Sequence, residues 1–127
     1  MPRVMIVDDD KTTVDLLKML LELDGFEVVV SPTGNGTPAR AHETLPDAFL
    51  VDFNLPDADG TEVVEKLRSD EVFRGRPIVM ASGMERGKEA LAAGANHFLS
   101  KPFEPDDLVA VLNKLLKQEG DHGTPAS

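Results

Sequence analysis

Four short polar stretches stand out because each directly follows an apolar run: Asp8-Asp9, Asp52, Ser82 and Lys101. Carboxylate, hydroxyl and ammonium together are the tools of phosphoryl chemistry. A carboxylate can attack phosphorus to give an aspartyl phosphate, and such transfer depends mainly on positioning and on neutralising charge. Three carboxylates in one pocket also resist one another, because two like charges ~4 Å apart repel by about 4 kcal/mol at an effective dielectric of about 20. A pocket that keeps them ionised calls for a cation. Hard oxygen donors, with no Cys and no clustered His, point to Mg2+. Lys101 and the Ser82 hydroxyl would each hold a phosphate oxygen. The backbone N–H groups of Phe53 and Gly83 would complete the cradle, with the bare Gly83 allowing close approach.

Such a cradle exists only if the fold brings these stretches to one edge. Val4-Met5-Ile6-Val7 is a short apolar run of the kind a buried parallel strand needs. From Lys11 the period turns helical, with Val14, Leu17, Leu20 and Leu21 on one face, Asp10 as N-cap and Gly25 as the stop. Phe26 to Val30 reads as a second strand, and Thr37-Pro38 as N-cap and first residue of a second helix. Ala48 to Val51 is a third strand ending at Asp52, and a helix with Val63, Val64 and Leu67 follows Gly60. Pro77 to Ala81 is a fourth strand, followed by a small helix from about Arg86 to Ala93, closed by Gly94. His97 to Leu99 is a fifth strand, and the last helix begins near Pro105. Five strands alternating with five helices predict an α/β, doubly wound parallel sheet with right-handed crossovers. Ligands in such folds bind at the carboxyl ends of the strands, where all four polar stretches fall.

The 127 residues fit one domain with a real core. Residues 1–118 are expected to form it, with 119–127 as a disordered tail or the start of a linker. A net charge of −10 argues against direct contact with nucleic acid or an anionic membrane. It suits a bound cation or a partner with a basic surface. No apolar run approaches the ~20 residues that span a bilayer, and Met1-Pro2-Arg3 does not open a signal peptide. His42, His97 and His122 lack metal-ligand spacing and read as surface or structural residues. Asp57 and Asp59 read as a solvated loop and a helix start.

Val-Asp-Asp at 7–9, Leu-Val-Asp-Phe-Asn-Leu-Pro-Asp at 50–57, Ala-Ser-Gly at 81–83 and Lys-Pro-Phe at 101–103 resemble the receiver domains of two-component response regulators. The resemblance covers about Arg3 to Leu116. It implies the CheY-like, flavodoxin-like strand order 2-1-3-4-5. It also implies that Asp52 accepts a phosphoryl group from a histidine kinase or phosphotransfer protein, and that Asp8, Asp9, Asp52 and the Asn54 main-chain carbonyl hold Mg2+. Ser82 and Lys101 then stand at the family's hydroxyl and lysine positions, and Phe98 at its switch aromatic. Phosphorylation adds roughly −1.5 to −2 charges. If Ser82 swings toward the phosphate, Phe98 can turn inward, remodelling the face made by the fourth helix, fifth strand and fifth helix. The implied molecule is a cytoplasmic switch rather than an enzyme on an external metabolite. It acts through a downstream protein or an output domain, as a monomer or as a weak dimer through that same face. Met84 sits where relatives vary. Apolar Met84 cannot orient an attacking water while the Asn54 side chain can, so a polar residue at 84 is expected to change phosphoryl lifetime.

Two other readings compete. Asp8-Asp9-Asp10-Lys11-Thr12 fits the Asp-x-Asp-x-Thr pattern of haloacid-dehalogenase-type phosphatases, with Asp8 as nucleophile and Asp10 as acid/base. That reading leaves Asp52 without a role, and Asp106-Asp107, opening a helix after Pro105, do not supply the later acidic pair. A flavin-binding module fits the topology, but three acids would repel a flavin phosphate.

Overall fold

The computed structural model describes residues 1–122. Five strands, β1 (Arg3–Val7), β2 (Glu27–Ser31), β3 (Ala48–Asp52), β4 (Ile78–Ser82) and β5 (His97–Ser100), alternate with five helices. These are α1 (Lys11–Leu23), α2 (Thr37–Thr44), α3 (Gly60–Ser69), α4 (Gly87–Ala93) and α5 (Pro105–His122). All strand pairs are parallel and the sheet order is β2-β1-β3-β4-β5. The expected doubly wound architecture and strand order are therefore present.

Side-chain alternation along the strands builds a core on each face of the sheet. Met5, Val7, Phe49, Val51, Ile78 and Met80 pack with Ala41 of α2, Val63, Val64 and Leu67 of α3, and Ala90 of α4. Val4, Ile6, Ala48, Leu50, Val79 and Ala81 face the other way, onto Val14, Leu17 and Leu21 of α1 and Leu108 and Leu112 of α5. The central strands β3 and β4 are buried along their whole length. This is why their sequences read as unbroken apolar runs rather than as alternating ones.

Helix ends follow local chemistry. The Asp10 carboxylate caps α1 by accepting the Thr12 N–H at 3.2 Å, and Gly25 takes the left-handed conformation just past its end, at φ 91°. The expected Thr37 cap is displaced by one residue. Gly36 is the N-cap of α2, and Thr37 lies inside the helix with its side chain fully buried. Its hydroxyl donates to the Thr33 carbonyl at 2.8 Å, and its oxygen caps no helix amide. Strands β2 and β4 are each displaced one residue toward the C-terminus at both ends relative to expectation, and β5 runs one residue further, to Ser100. Helix α5 continues to His122, into the stretch expected as a tail, and residues 123–127 of that stretch lie outside the described residues. Among the described residues no helix is long and apolar enough to cross a membrane.

Candidate functional site

Strand register decides which side chains meet. Val7 of β1 pairs with Val51 of β3, so the next residues, Asp8 and Asp52, leave the sheet side by side. Asp9 follows in the same turn. One carboxylate oxygen from each of Asp8, Asp9 and Asp52 lies within 4.8 Å of the others. Asp8 is 5% exposed and Asp52 9%, while Asp9 faces solvent. Three hard oxygen donors at that spacing, with neither nitrogen nor sulfur among them, fit a small divalent cation such as Mg2+.

Lys101, just past β5, crosses to the same corner. Its Nζ donates to Asp52 Oδ1 at 3.2 Å and lies 3.5 Å from Asp8 Oδ2. Its own backbone N–H is held by the Ser82 carbonyl at 2.8 Å, so β4 sets where the lysine emerges. Burial pushes the Asp52 carboxyl above its ordinary pKa, and the Asp8 charge adds to this. Lys101 and the Asn54 N–H pull the other way without cancelling it. Burial opposes the Lys101 charge, yet Asp52 and Asp8 outweigh it and hold the ammonium above its ordinary value. The corner thus contains a lysine that stays charged and a carboxyl that is short of compensation, which is the condition for gaining a cation or a proton.

Ser82 is almost fully buried at the end of β4. Its Oγ accepts the Met84 N–H at 3.1 Å, which fixes the oxygen and leaves the hydroxyl proton to be donated. Met84 itself is among the most exposed apolar residues, at 70%. A Cβ on Gly83 would meet nothing within 4 Å, so bareness at that position is not what lets a ligand approach. Of the two expected backbone donors, Phe53 is already engaged, its N–H donating to the Ala81 carbonyl at 3.2 Å as the ladder between β3 and β4 continues. The Asn54 N–H is the donor beside the Asp52 carboxylate. Register counting could not tell these two amides apart, because the choice depends on where the β3–β4 ladder stops.

The loop after β3 shows what the sequence left hidden. Gly60 N–H donates to the Phe53 carbonyl at 2.7 Å, and Asn54 and Asp59 form an antiparallel bridge. A Cβ on Gly60 would fall 2.2 Å from the Asp52 carbonyl oxygen, so the close turn behind Asp52 demands glycine. Asp59 caps α3 in a capping box with Glu62. Its other oxygen receives the Arg86 guanidinium at 3.2 Å, and Arg86 also reaches Glu89 at 2.6 Å. The Arg86 guanidinium carbon lies 4.1 Å from the centre of the Phe53 ring. The buried Phe53 ring meets half-buried Phe98 of β5 edge-on at 5.9 Å. Arg86 therefore fastens the β4–α4 connection to the loop that follows β3, a contact for which no spacing in the sequence gave a signal.

Asp10 stands apart from the corner. Its oxygens accept from Thr12 N–H and from the Thr13 hydroxyl at 2.8 Å, as a cap should. An acid/base partner for Asp8 is thus lacking at Asp10, and the phosphatase-like reading loses its second carboxylate. His42 meets Asp70 at 2.6 Å and the Phe73 ring edge-on at 4.9 Å, and neither contact involves a site residue.

Comparison with known proteins agrees with this geometry. The family model of the response regulator receiver domain matches residues 4–113. The transcriptional regulatory protein PrrA of Mycobacterium tuberculosis is 37% identical over 127 residues, covering 99% of this chain and 54% of that protein. The chain spans about half the length of the curated relatives it matches. The crystal structure of a CheY-like response regulator receiver domain protein from Methanospirillum hungatei superposes with a TM-score of 0.89 at 31% identity, covering 97% of this chain and 99% of that one. The receiver domain of the sensor histidine kinase PA1611 of Pseudomonas aeruginosa, solved with a magnesium ion coordinated in its active-site cleft, superposes with a TM-score of 0.83 at 26% identity, covering 91% and 98%. The chain belongs to the family of response regulator receiver domains of two-component systems.

Proposed function

We propose that the protein is a Mg2+-dependent phosphoryl switch in which Asp52 is the acceptor. The observation that carries this reading is the corner itself: a buried carboxyl raised above its ordinary pKa, beside Asp8 and Asp9, with the Lys101 ammonium at 3.2 Å. In the proposed step an Asp52 carboxylate oxygen attacks the phosphorus of a phosphohistidine on a kinase or phosphotransfer protein. A P–O bond forms at Asp52, and the P–N bond of the donor breaks with its electrons returning to the imidazole. Asp8, Asp9, Asp52 and the Asn54 carbonyl would hold Mg2+, which when bound neutralises charge on the transferring group. The magnesium ion coordinated in the active-site cleft of the PA1611 receiver supports a metal at this site. Lys101 holds one phosphoryl oxygen, while the Ser82 hydroxyl and the Asn54 and Gly83 N–H groups address others.

The switch half of the reading rests on Phe53, Arg86 and Phe98. Ser82 turning toward a phosphoryl group shifts the β4–α4 connection, which carries Arg86 and abuts Phe98. The expected output is a remodelled α4-β5-α5 face that addresses a downstream protein or an output domain. The transcriptional regulators among the relatives support the second of these.

The test is chemical. Incubation with acetyl phosphate and Mg2+ should add one phosphoryl group to the wild-type chain, and peptide mass spectrometry after hydride trapping should place it on Asp52. Asp52→Asn should remain unmodified. A label on Asp8, or none on the wild type with Mg2+ in excess, overturns the proposal.

A further inference from the structure

Asp57 sits at the tip of the loop between β3 and α3, three residues beyond Asn54. One of its carboxylate oxygens accepts the Gly34 N–H at 2.8 Å and the other accepts the Asn35 N–H at 2.8 Å. These are consecutive amides in the loop between β2 and α2, more than twenty residues away in the chain. A carboxylate is suited to this because both oxygens accept; an amide or an alcohol offers a single acceptor atom in that place. The two loops touch closely, since a Cβ on Gly34 would lie 3.0 Å from Ala58 Cβ and 3.0 Å from Val63 Cγ2.

The loop that receives Asp57 is itself fixed. Thr37 N–H donates to the Gly34 carbonyl at 3.2 Å, and Gly36 N–H to the Thr33 hydroxyl at 3.1 Å. The buried Thr37 hydroxyl lies 2.9 Å from the Ser31 hydroxyl at the end of β2. The Ser31 carbonyl in turn accepts the Asp8 N–H at 3.1 Å. A continuous set of short contacts therefore runs from Asp57, through residues 31–37, to the backbone of Asp8. At the other end, the base of the Asp57 loop holds Asp52 and Asn54 through the Phe53–Gly60 bond and the Asn54–Asp59 bridge.

We infer that Asp57 is a positioning residue that braces the β3–α3 loop across the end of β1, fixing Asn54 and Asp52 relative to Asp8 so that the metal donors converge. The inference rests on the Mg2+ reading above and adds to it a residue that touches neither metal nor phosphoryl group. Groups bonded directly to metal ligands typically matter by about 10–100-fold in affinity, and Asp57, bonded to the Gly34 and Asn35 amides rather than to a ligand, is expected at the low end of that range.

The experiment is calorimetric titration of Mg2+ into the whole chain, with hydrogen exchange at the Gly34 and Asn35 amides followed by NMR. Asp57→Ala should bind Mg2+ about tenfold more weakly than the wild type, and the isosteric Asp57→Asn, with one acceptor oxygen left, by a smaller factor. Asp70→Ala serves as control. It removes a turn cap and the His42 contact at the far end of the sheet, and should bind Mg2+ as the wild type does. In the wild type, Mg2+ should slow exchange at Gly34 and Asn35, because coupling between two equilibria is reciprocal. Wild-type affinity in both Asp57 variants, or exchange at the two amides indifferent to Mg2+ that the wild type demonstrably binds, overturns the brace. A wild type that takes up no Mg2+ overturns the metal reading and the brace with it.

Discussion

Lys101 and Asp8 act on the Asp52 carboxyl in opposite directions, which makes its proton affinity a direct gauge of the corner. In Mg2+-free buffer, Lys101→Met should move the Asp52 pKa further up and Asp8→Asn should bring it down, read from carboxyl carbon shifts during an NMR pH titration. Because the folded-state pKa is raised above 3.8, the stability linked to Asp52 is full below that pH and is lost as pH rises through the folded value. Asp57 and Asp70, held low, behave in reverse and lose their contribution as pH falls below 3.8. Urea unfolding should therefore show Asp52→Asn more stable than the wild type near neutrality, with the gap closing in acid. The two loop glycines make a second residue-scale contrast. Gly60→Ala drives a methyl into the Asp52 carbonyl and should cost several kcal/mol, about what other severe steric substitutions cost. Gly83→Ala finds open space and should be neutral or stabilising by up to about 1 kcal/mol. Thermal melts of the two variants check both signs.

Helix and strand positions were legible because their determinants are local. The run Val4–Val7, stopped by three acids, reads as a buried strand, and Asp10 followed by the Val14-Leu17-Leu21 face reads as the start of a helix packed on it. The strand-end rule then placed Asp8, Asp52, Ser82 and Lys101 on one edge. What stayed hidden lies between loops. Arg68 donates to the carbonyls of Gly94, Arg74 and Arg76 and to Asn96 Oδ1, Arg86 to Asp59, and Asp57 to nothing while accepting from Gly34 and Asn35. None of these contacts has a period, and each depends on how far a loop bends back. Thr37 shows the same limit at a helix end: threonine before proline is the signature of a cap, but the Ser31 and Thr33 oxygens compete for its hydroxyl and win. Where capping chemistry is intact, its loss is predictable. Asp59→Ala removes the α3 cap and an Arg86 partner and should cost about 1–2 kcal/mol in denaturant unfolding.

For the molecule as a whole, a net charge of −10 is concentrated to effect at the strand ends, where three acids converge. A ligand that binds only the folded chain stabilises it by mass action, by about 2.7 kcal/mol at a hundred times its dissociation constant. Mg2+ should therefore raise the melting temperature of the wild type, and Asp8→Asn should lose most of that rise. The sheet also divides the chain's six phenylalanines between its two cores: Phe49, Phe53, Phe73 and Phe98 lie with α2, α3 and α4, while Phe26 and Phe103 lie with α1 and α5. With no tryptophan or tyrosine to intrude, fluorine carried on those rings would give six resonances sorted by side. Their response to an added phosphoryl analogue would reveal which half of the protein hears the message and which merely holds the frame.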